Sequence, residues 1–500
     1  MKISTLFAFA ALAAAGSVHG AYSGPTFDVS VWKGETLACR PPDWAEVELL
    51  AAKAPAGVDF DVGGVAPVPC SVRARAVTRT ERYDRVVWRS SKRFKGLEGP
   101  MVVKLAVPAD HPAGTFDIGP MRVRVLDREL PPPASWRYFL DLWQHPWAAA
   151  RINGVKPFSS KHYAAMKPVY RTLADCGVKS LTVTLLDYPW NHQCYDAYHS
   201  MIGRVKAEDG SWRFDYRVFD EYVEFGRACG IGPDIACYTM CPWGYYVHYA
   251  TEKGEQRKVL AKPGTPEFAD FWGDFLTDFA RHLKEKGWFE HAYIAMDERA
   301  PEDVMEIARF ICEKAPGLRI AMAGNRRPSE FKGIEIDNYC QYIGFITPEF
   351  LAEEVPARRA KGCRSTFYVC CGPDRPNTFM ESPDEEAYFL GACPALCGLD
   401  GFLRWAANSW PRDPEREAAF GTWRPGDTFL VYPDGSPSIR LLMLRSGIVA
   451  AEKLWILEKQ GLFAAELADF KKKHDIFKAM KGEGDYAAFM RELEALVNRQ

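Results

Sequence analysis

The sequence predicts an α/β protein in which a (β/α)8 barrel follows an antiparallel β-sandwich. Three observations carry that expectation. Residues 21–130 alternate apolar and polar positions with period two, and a proline run, Pro131-Pro132-Pro133, then interrupts the chain. Beyond it, eight apolar runs alternate with segments of helical period, as strands and helices of a barrel do.

The elements follow in chain order. Lys2, the small-apolar run from Leu6 to Ala15 and Val18-His19-Gly20 read as a secretory signal peptide over 1–20, with cleavage expected before Ala21. An exported protein, periplasmic or secreted, is therefore expected. Later in the chain no run reaches the ~20 apolar residues of a membrane span. Over 21–130, "SVRARAVTRT", "MVVKLAVPA", "GTFDIG" and "MRVRVLDREL" are the sandwich strands. Residues 131–137 are a stiff linker. Barrel strands are expected at 138–143, 180–186, 232–238, 292–296, 319–324, 339–345, 365–371 and 401–406. The run at 180–186 and those that follow, up to 292–296, are continuously apolar, as strands covered on both faces should be. Helices are expected at 160–176, 216–229, 265–286, 301–314, 349–360, 383–396 and 437–459, which places the barrel within 138–464. A charged, helix-prone extension closes the chain over 465–500.

Composition narrows the function. A formal charge of -2 leaves no basic stripe for nucleic acid. Fifteen tryptophans within an aromatic content of 13% exceed what a core needs, and rings of this kind stack on sugar faces. Of the fourteen cysteines, Cys237, Cys340, Cys370, Cys371 and Cys393 fall inside or beside apolar runs, which favours buried thiols, with Cys39 and Cys70 the pair to inspect first for a disulfide. Cys237 with Cys241 and Cys393 with Cys397 are C-x3-C spacings with no accompanying histidines, so no metal site is expected. G-x-G-x-x-G, G-x4-G-K-[ST], G-x-S-x-G and H-E-x-x-H are all missing, and no cofactor is expected.

A barrel builds its active site at the C-terminal ends of its strands. Those ends carry Trp143 and His145, Trp190 and Asn191, Tyr238 and Trp243, Asp297 and Glu298, Asn325, Tyr368, Trp405 and Asn408. This polar and aromatic lining suits a carbohydrate. For several of these residues a structural role competes: a lone histidine such as His145 is commonly a hydrogen-bonder, Trp405 and Tyr368 sit where barrel core is expected, and Asn325 follows Gly324 as a turn residue would.

Asp297 and Glu298 end the run "HAYIAM". Acids just before Pro301-Glu302-Asp303 also suit a helix start. As a reacting pair they are unusual, because a retaining glycosidase places two carboxyls about 5 Å apart across the sugar. Adjacent residues point to different sides of the chain and cannot easily flank one anomeric carbon. They can divide the chemistry in another way. If a 2-acetamido group on the substrate attacks the anomeric carbon, one acid holds the acetamide N–H and its neighbour protonates the leaving oxygen.

Several stretches resemble glycoside hydrolase family 123, the exported β-N-acetylgalactosaminidases: "LDLWQHP" (140–146), "DGSWRFDY" (209–216), "AMDE" (295–298), "FYVCCGPDRPNTF" (367–379), "GFLRWAANSW" (401–410) and "GDTFLVYPDGSPSIR" (426–440). The resemblance implies a sandwich followed by a catalytic barrel and a glycan substrate. It also implies that Asp297 polarises the acetamide and Glu298 is the general acid/base. Two other readings compete: a catalytically silent glycan-binding protein, and a glycosidase with a protein nucleophile, for which Asp187 is the nearest candidate.

Overall fold

The computed structural model describes residues 24–70, 80–97 and 99–500. The expected signal peptide, and the "SVRARAVTRT" strand except for its last residue, lie outside the described residues.

Eight parallel strands form one sheet: β1 (Phe139–Leu142), β2 (Ser180–Thr184), β3 (Asp234–Tyr238), β4 (Ala292–Met296), β5 (Arg319–Gly324), β6 (Asn338–Tyr342), β7 (Arg364–Val369) and β8 (Gly401–Arg404). From β2 onward each pairs with its neighbour in sequence, and β8 returns to β1. Between β1 and β2 the sheet is nearly closed, through the single parallel bridge Leu140–Val178 and the Lys179 N–H to Leu140 carbonyl bond of 2.9 Å. Every residue of β2, β3 and β4 is buried, which is why these strands read as continuous apolar runs.

The helices that accompany the barrel strands are α1 (Pro146–Asn153), α2 (Ser160–Asp175), α3 (Arg217–Ala228), α4 (Pro266–Glu285), α5 (Pro301–Lys314), α6 (Val355–Ala360), α7 (Asp384–Cys397) and α8 (Ile439–Lys459). A π-helical turn, Phe350–Glu354, leads into α6. α1 was not expected, because Pro146 to Ala150 are all buried and leave no polar stripe to mark its period. α7 and α8 pack backbone to backbone: a Cβ on Gly391 would stand 2.3 Å from the Leu444 carbonyl oxygen, and one on Gly447 would stand 2.0 Å from that of Tyr388. Three helices, α9 (Ala464–Lys473), α10 (Ile476–Met480) and α11 (Tyr486–Val497), then close the chain, with the Tyr388 hydroxyl donating to Glu494 at 2.8 Å.

The N-terminal part corrects the antiparallel expectation. Thr36–Cys39, Met101–Ala106, Asp59–Cys70 and Thr80–Trp88 form an antiparallel four-stranded sheet. In the three-stranded sheet, however, Phe27–Lys33 runs parallel to Met121–Glu129, which pairs antiparallel with Gly114–Ile118. Parallel partners need a long crossover, and residues 34–120 provide it by building the other sheet on the way. Period two marks alternation, which both directions share. Val29, Val31, Val123 and Val125 of one sheet share a core with Val62, Val103 and Leu105 of the other.

The linker does more than space the two parts. Pro133–Ser135 makes a 3-10 turn, and Lys179 donates from Nζ to the Pro133 and Ala134 carbonyls at 2.8 and 2.7 Å. A fourth sheet rises from the loops after β2 and β3: the hairpin Gly203–Lys206/Trp212–Asp215 joins the hairpin Tyr246–Thr251/Gln256–Leu260 through parallel pairing of Val205 with Ala250.

Buried charges fasten the N-terminal sheets to α8. Arg440 donates from Nε to Asp84 at 2.7 Å, both side chains buried, while the Tyr432 hydroxyl donates to the second Asp84 oxygen at 2.7 Å. Asp84→Ala strands the Arg440 guanidinium and should cost about 3–5 kcal/mol, read as a lower denaturant midpoint. Asp127→Ala, at an exposed surface pair with Lys33, should leave the denaturant midpoint almost unchanged. Equal effects would show that the Asp84 pair does not hold the parts together.

Candidate active site

The last residue of β4 is Met296, and the chain bends at Glu298, which lets two successive acids reach the barrel mouth by different routes. Asp297, half-buried, accepts from the Trp243 indole N–H at 3.2 Å, on the side of the loop after β3. Exposed Glu298 turns the other way: one oxygen accepts from the Asn325 amide at 3.2 Å, after β5, and the other accepts from the Tyr368 hydroxyl, on β7. Pro301 then starts α5, with Glu302 and Asp303 in its first turn. The helix start therefore has its own acids, and the Asp297–Glu298 pair is not needed there.

Electrostatics separate the pair's environments. Burial, and then the Glu298 carboxylate beside it, push the Asp297 carboxyl up to about 7, against the indole donor and Arg299, which favour its charged form. Arg299 itself faces away, donating from Nε to the Cys241 sulfur at 3.3 Å with its guanidinium 4.7 Å from the Tyr245 ring centroid. Burial and the Glu298 charge drive the Tyr368 hydroxyl far above its ordinary range, so it serves as a donor.

The expected site residues divide into three sets. Trp243, Asn325 and Tyr368 touch the acid pair directly. Trp143, Trp190 and Tyr238 pack into one another at centroid distances of 4.9, 4.5 and 5.1 Å and are buried, a floor rather than an open platform. Tyr238 feels the charges of both Asp297 and the buried Asp141. The third set is engaged elsewhere. His145 caps α1, its Nδ1 accepting from the Ala148 N–H at 3.4 Å and its Nε2 lying 3.0 Å from the Asp196 carbonyl, so no ring nitrogen is free for a ligand. Burial lowers its imidazole to about 3 and keeps it neutral. Asn408 bridges the His145 backbone N–H and carbonyl at 2.8 and 3.2 Å. Trp405 is buried, its indole N–H donating to Asp427 at 3.1 Å. Asn191 is exposed in a left-handed turn (φ 52°) close to Gly244, with no bond to the acid pair.

One residue went unread. Tyr342, 5.4 Å from Tyr368 between ring centroids, lies at the mouth because β6 ends there and a 3-10 turn, Ile343–Phe345, follows. The apolar run continues to Phe345, which disguised the strand end. Gly324 supports the same side: a Cβ there would meet the Tyr339 hydroxyl at 2.1 Å, and that hydroxyl anchors the Asn325–Arg326 turn through the Arg326 carbonyl at 2.7 Å.

All fourteen cysteines are free, including Cys39 and Cys70. Among the described residues no group of three or more His, Cys, Asp or Glu is arranged to hold a metal, and no helix is long and apolar enough to cross a membrane.

The family model described as "Glycoside hydrolase 123, catalytic domain" matches residues 143–457, from the end of β1 almost to the end of α8. The chain belongs to glycoside hydrolase family 123. It is accordingly a glycosidase acting on a glycan. A solved family 123 glycoside hydrolase from Clostridium perfringens, described in connection with glycolipid glycan hydrolysis, shares the fold with a TM-score of 0.75 at 22% identity, covering 90% of this chain and 86% of that one. Far weaker is the likeness to a family 10 xylanase with a bacterial Ig-like domain from termite gut (TM-score 0.36, 9% identity, 87% of this chain and 100% of that one). No curated protein sequence matches the chain.

Raising the Asp297 carboxyl carries a stability cost with a defined pH window. Its folded value of about 7 lies above the ~3.9 of an unfolded Asp, so ionisation penalises the folded state progressively between the two and by a constant amount above. Asp297→Asn should raise the melting temperature over wild type, with the gain growing from about pH 4 to 7 and flat beyond. A gain independent of pH in scanning calorimetry would contradict this origin.

Proposed function

We propose that this glycoside hydrolase is a retaining, exo-acting enzyme that removes terminal β-linked N-acetylgalactosamine by substrate-assisted catalysis. The observation that carries the reading is the adjacency of Asp297 and Glu298 with divergent partners, Trp243 on one and Asn325 with Tyr368 on the other. Two carboxyls one peptide apart suit a substrate that supplies its own nucleophile. Asp297 accepts the acetamide N–H, which directs the acetamide oxygen at the anomeric carbon and balances the charge of the oxazolinium that forms. This contact favours ionised Asp297, so substrate binding itself brings the acid into the form the reaction uses. Glu298, steered by Tyr368 and Asn325, protonates the departing oxygen and then takes a proton from the water that opens the oxazolinium. Displacement twice at one carbon returns the original configuration. Trp243, beside Asp297 and partly exposed, supplies an open ring face for the sugar.

Asp187 is less suited to act as a protein nucleophile. Its Oδ1 is engaged by the Ser200 N–H at 3.0 Å and lies 3.2 Å from His199 Nδ1. Burial opposes its charge, yet these bonds hold the carboxyl below its usual range and occupy it as a hydrogen-bonded structural acid. The glycan end acted on belongs to a glycolipid, glycoprotein or polysaccharide, and the glycolipid described for the Clostridium perfringens relative supports the first of these. The N-terminal apolar run supports an exported enzyme, which fractionation of producing cells checks.

Aryl β-N-acetylgalactosaminide should be hydrolysed and blocked by a thiazoline, while aryl β-galactoside is left intact. Turnover of the galactoside would instead favour a protein nucleophile, and tight glycan binding without turnover a silent lectin-like role. Glu298→Gln should lower kcat on unactivated glycans by about 10²–10⁴-fold, the scale of lost general acid–base catalysis. Near-native rates would remove Glu298 from that role.

Because ionised Asp297 is the working form, kcat/KM should rise with pH through about 7, the value of the free protein. Trp243→Phe deletes a donor that favours the charged form, so this acid limb should move to higher pH. A limb unmoved by Trp243→Phe would dissociate it from Asp297.

A further inference from the structure

We infer that Cys370 and Cys371 are a reversible disulfide site on the wall of the sugar-binding mouth. Neighbouring cysteines on a regular strand point to opposite faces. Here β7 has ended at Val369, and the turn brings the two sulfurs to 3.9 Å. The turn is held by three bonds: the Cys370 N–H donates to the Gly372 carbonyl at 3.0 Å, and the Asn377 side chain donates to the Cys370 and Pro373 carbonyls at 3.1 and 2.7 Å. Cys371 is exposed and Cys370 half-buried, so an oxidant reaches the pair from solvent. The second close pair, Cys393 with Cys397, also at 3.9 Å, differs in that Cys393 is buried within α7.

The wall position follows from Tyr342 and Tyr368. Cys370 stands two residues beyond Tyr368, whose hydroxyl engages Glu298. A Cβ added to Gly372 would lie 3.1 Å from the Tyr342 hydroxyl, so the cysteine turn is packed against that ring. Burial and then the charges of Cys370, Cys371 and Glu298 push the Tyr342 hydroxyl up to about 12, which puts all three groups beside it. Reactivity is divided between the sulfurs: the bond from Cys370 brings the Cys371 thiol down to about 7, while the Cys370 thiol is driven up. Thiolate is the attacking species, which makes Cys371 the entry point.

The co-reactant is a small disulfide, and the step balances as thiol–disulfide exchange. The Cys371 thiolate attacks one sulfur of the oxidant and expels a thiolate. Cys370 then gives up its proton, attacks the Cys371 sulfur of the mixed disulfide and expels the second thiolate. One S–S bond is exchanged for another, and two electrons and two protons pass to the oxidant, which leaves as two thiols.

The consequence for activity rests on the proposed hexosaminidase reading, and the test separates the two. The full chain is equilibrated with oxidised or reduced glutathione, alkylated, and mapped by mass spectrometry, with KM for aryl β-N-acetylgalactosaminide measured in parallel. After oxidation, the peptide holding residues 370 and 371 should lose the mass of two hydrogens and take no alkyl label. Reductant should restore both thiols, exposed Cys312 should stay free of an intramolecular bond, and Cys371→Ser should abolish the mass change. KM should shift several-fold between redox states in the wild type and stay constant in Cys371→Ser. Full alkylation of both residues after oxidation, or a glutathione adduct on Cys371 that persists, would overturn the disulfide. A disulfide that forms without moving KM would overturn its place on the wall. Should no aryl glycoside be cleaved, the peptide map still decides the disulfide, and only the hexosaminidase reading fails.

Discussion

Two like charges one peptide bond apart set the central constraint on this barrel. Neighbouring carboxylates repel, and burial of one of them adds to the cost. The mouth answers by giving each acid its own donors from opposite sides: Asp297 takes an indole N–H from the loop after β3, and Glu298 takes an amide from the turn after β5 and a phenol from β7. Strands on both flanks of β4 must therefore end at the right height. Their lengths are small and their registers are fixed by direct pairing between neighbours, from Tyr238 beside Ala295 to Met296 beside Met322.

Farther out, the scaffold relies on buried charges that meet an opposite charge. Arg404 on β8 donates to Asp427 at 2.6 Å, with both side chains completely buried, and reaches the Val369 carbonyl at 2.9 Å and the Thr378 hydroxyl at 3.1 Å. It ties the end of β8 to the end of β7, just before the paired cysteines. Arg440 and Lys453 do the same for the N-terminal sheets, through Asp84 and Glu35. Such ions hold position because removing one partner leaves the other charged in a dry place.

The barrel was readable because burial on both faces erases alternation and leaves short apolar runs, and because α2, α4 and α5 begin with a Ser or Thr cap or a proline in the first turn. What sequence hides is direction and neighbourhood. Period two in residues 27–33 and 121–129 looks identical whether the strands run parallel or antiparallel. The hairpins inserted after β2 and β3 are short and mostly solvent-facing, so no apolar period announces them. Among the candidate residues, the position of Asp297 and Glu298 just past the end of β4 was legible from the apolar run "HAYIAM", whereas the engagement of His145, Asn408 and Trp405 by internal partners depends on residues distant along the chain: Asp196, the His145 backbone and Asp427.

The inserted sheet has a further meaning for Trp243. This residue lies between β3 and the strand Tyr246–Thr251, its backbone N–H donates to the Pro189 carbonyl at 3.1 Å, and the two excursions are joined through Val205 and Ala250. A ring carried on a free loop would have to be ordered by each arriving ligand, at a cost in side-chain and backbone entropy. Here that entropy is spent when the chain folds. The Trp243 ring is a surface already set in place, so a sugar stacking on it as proposed would meet little ordering cost, and loss of the inserted hairpins would raise that cost.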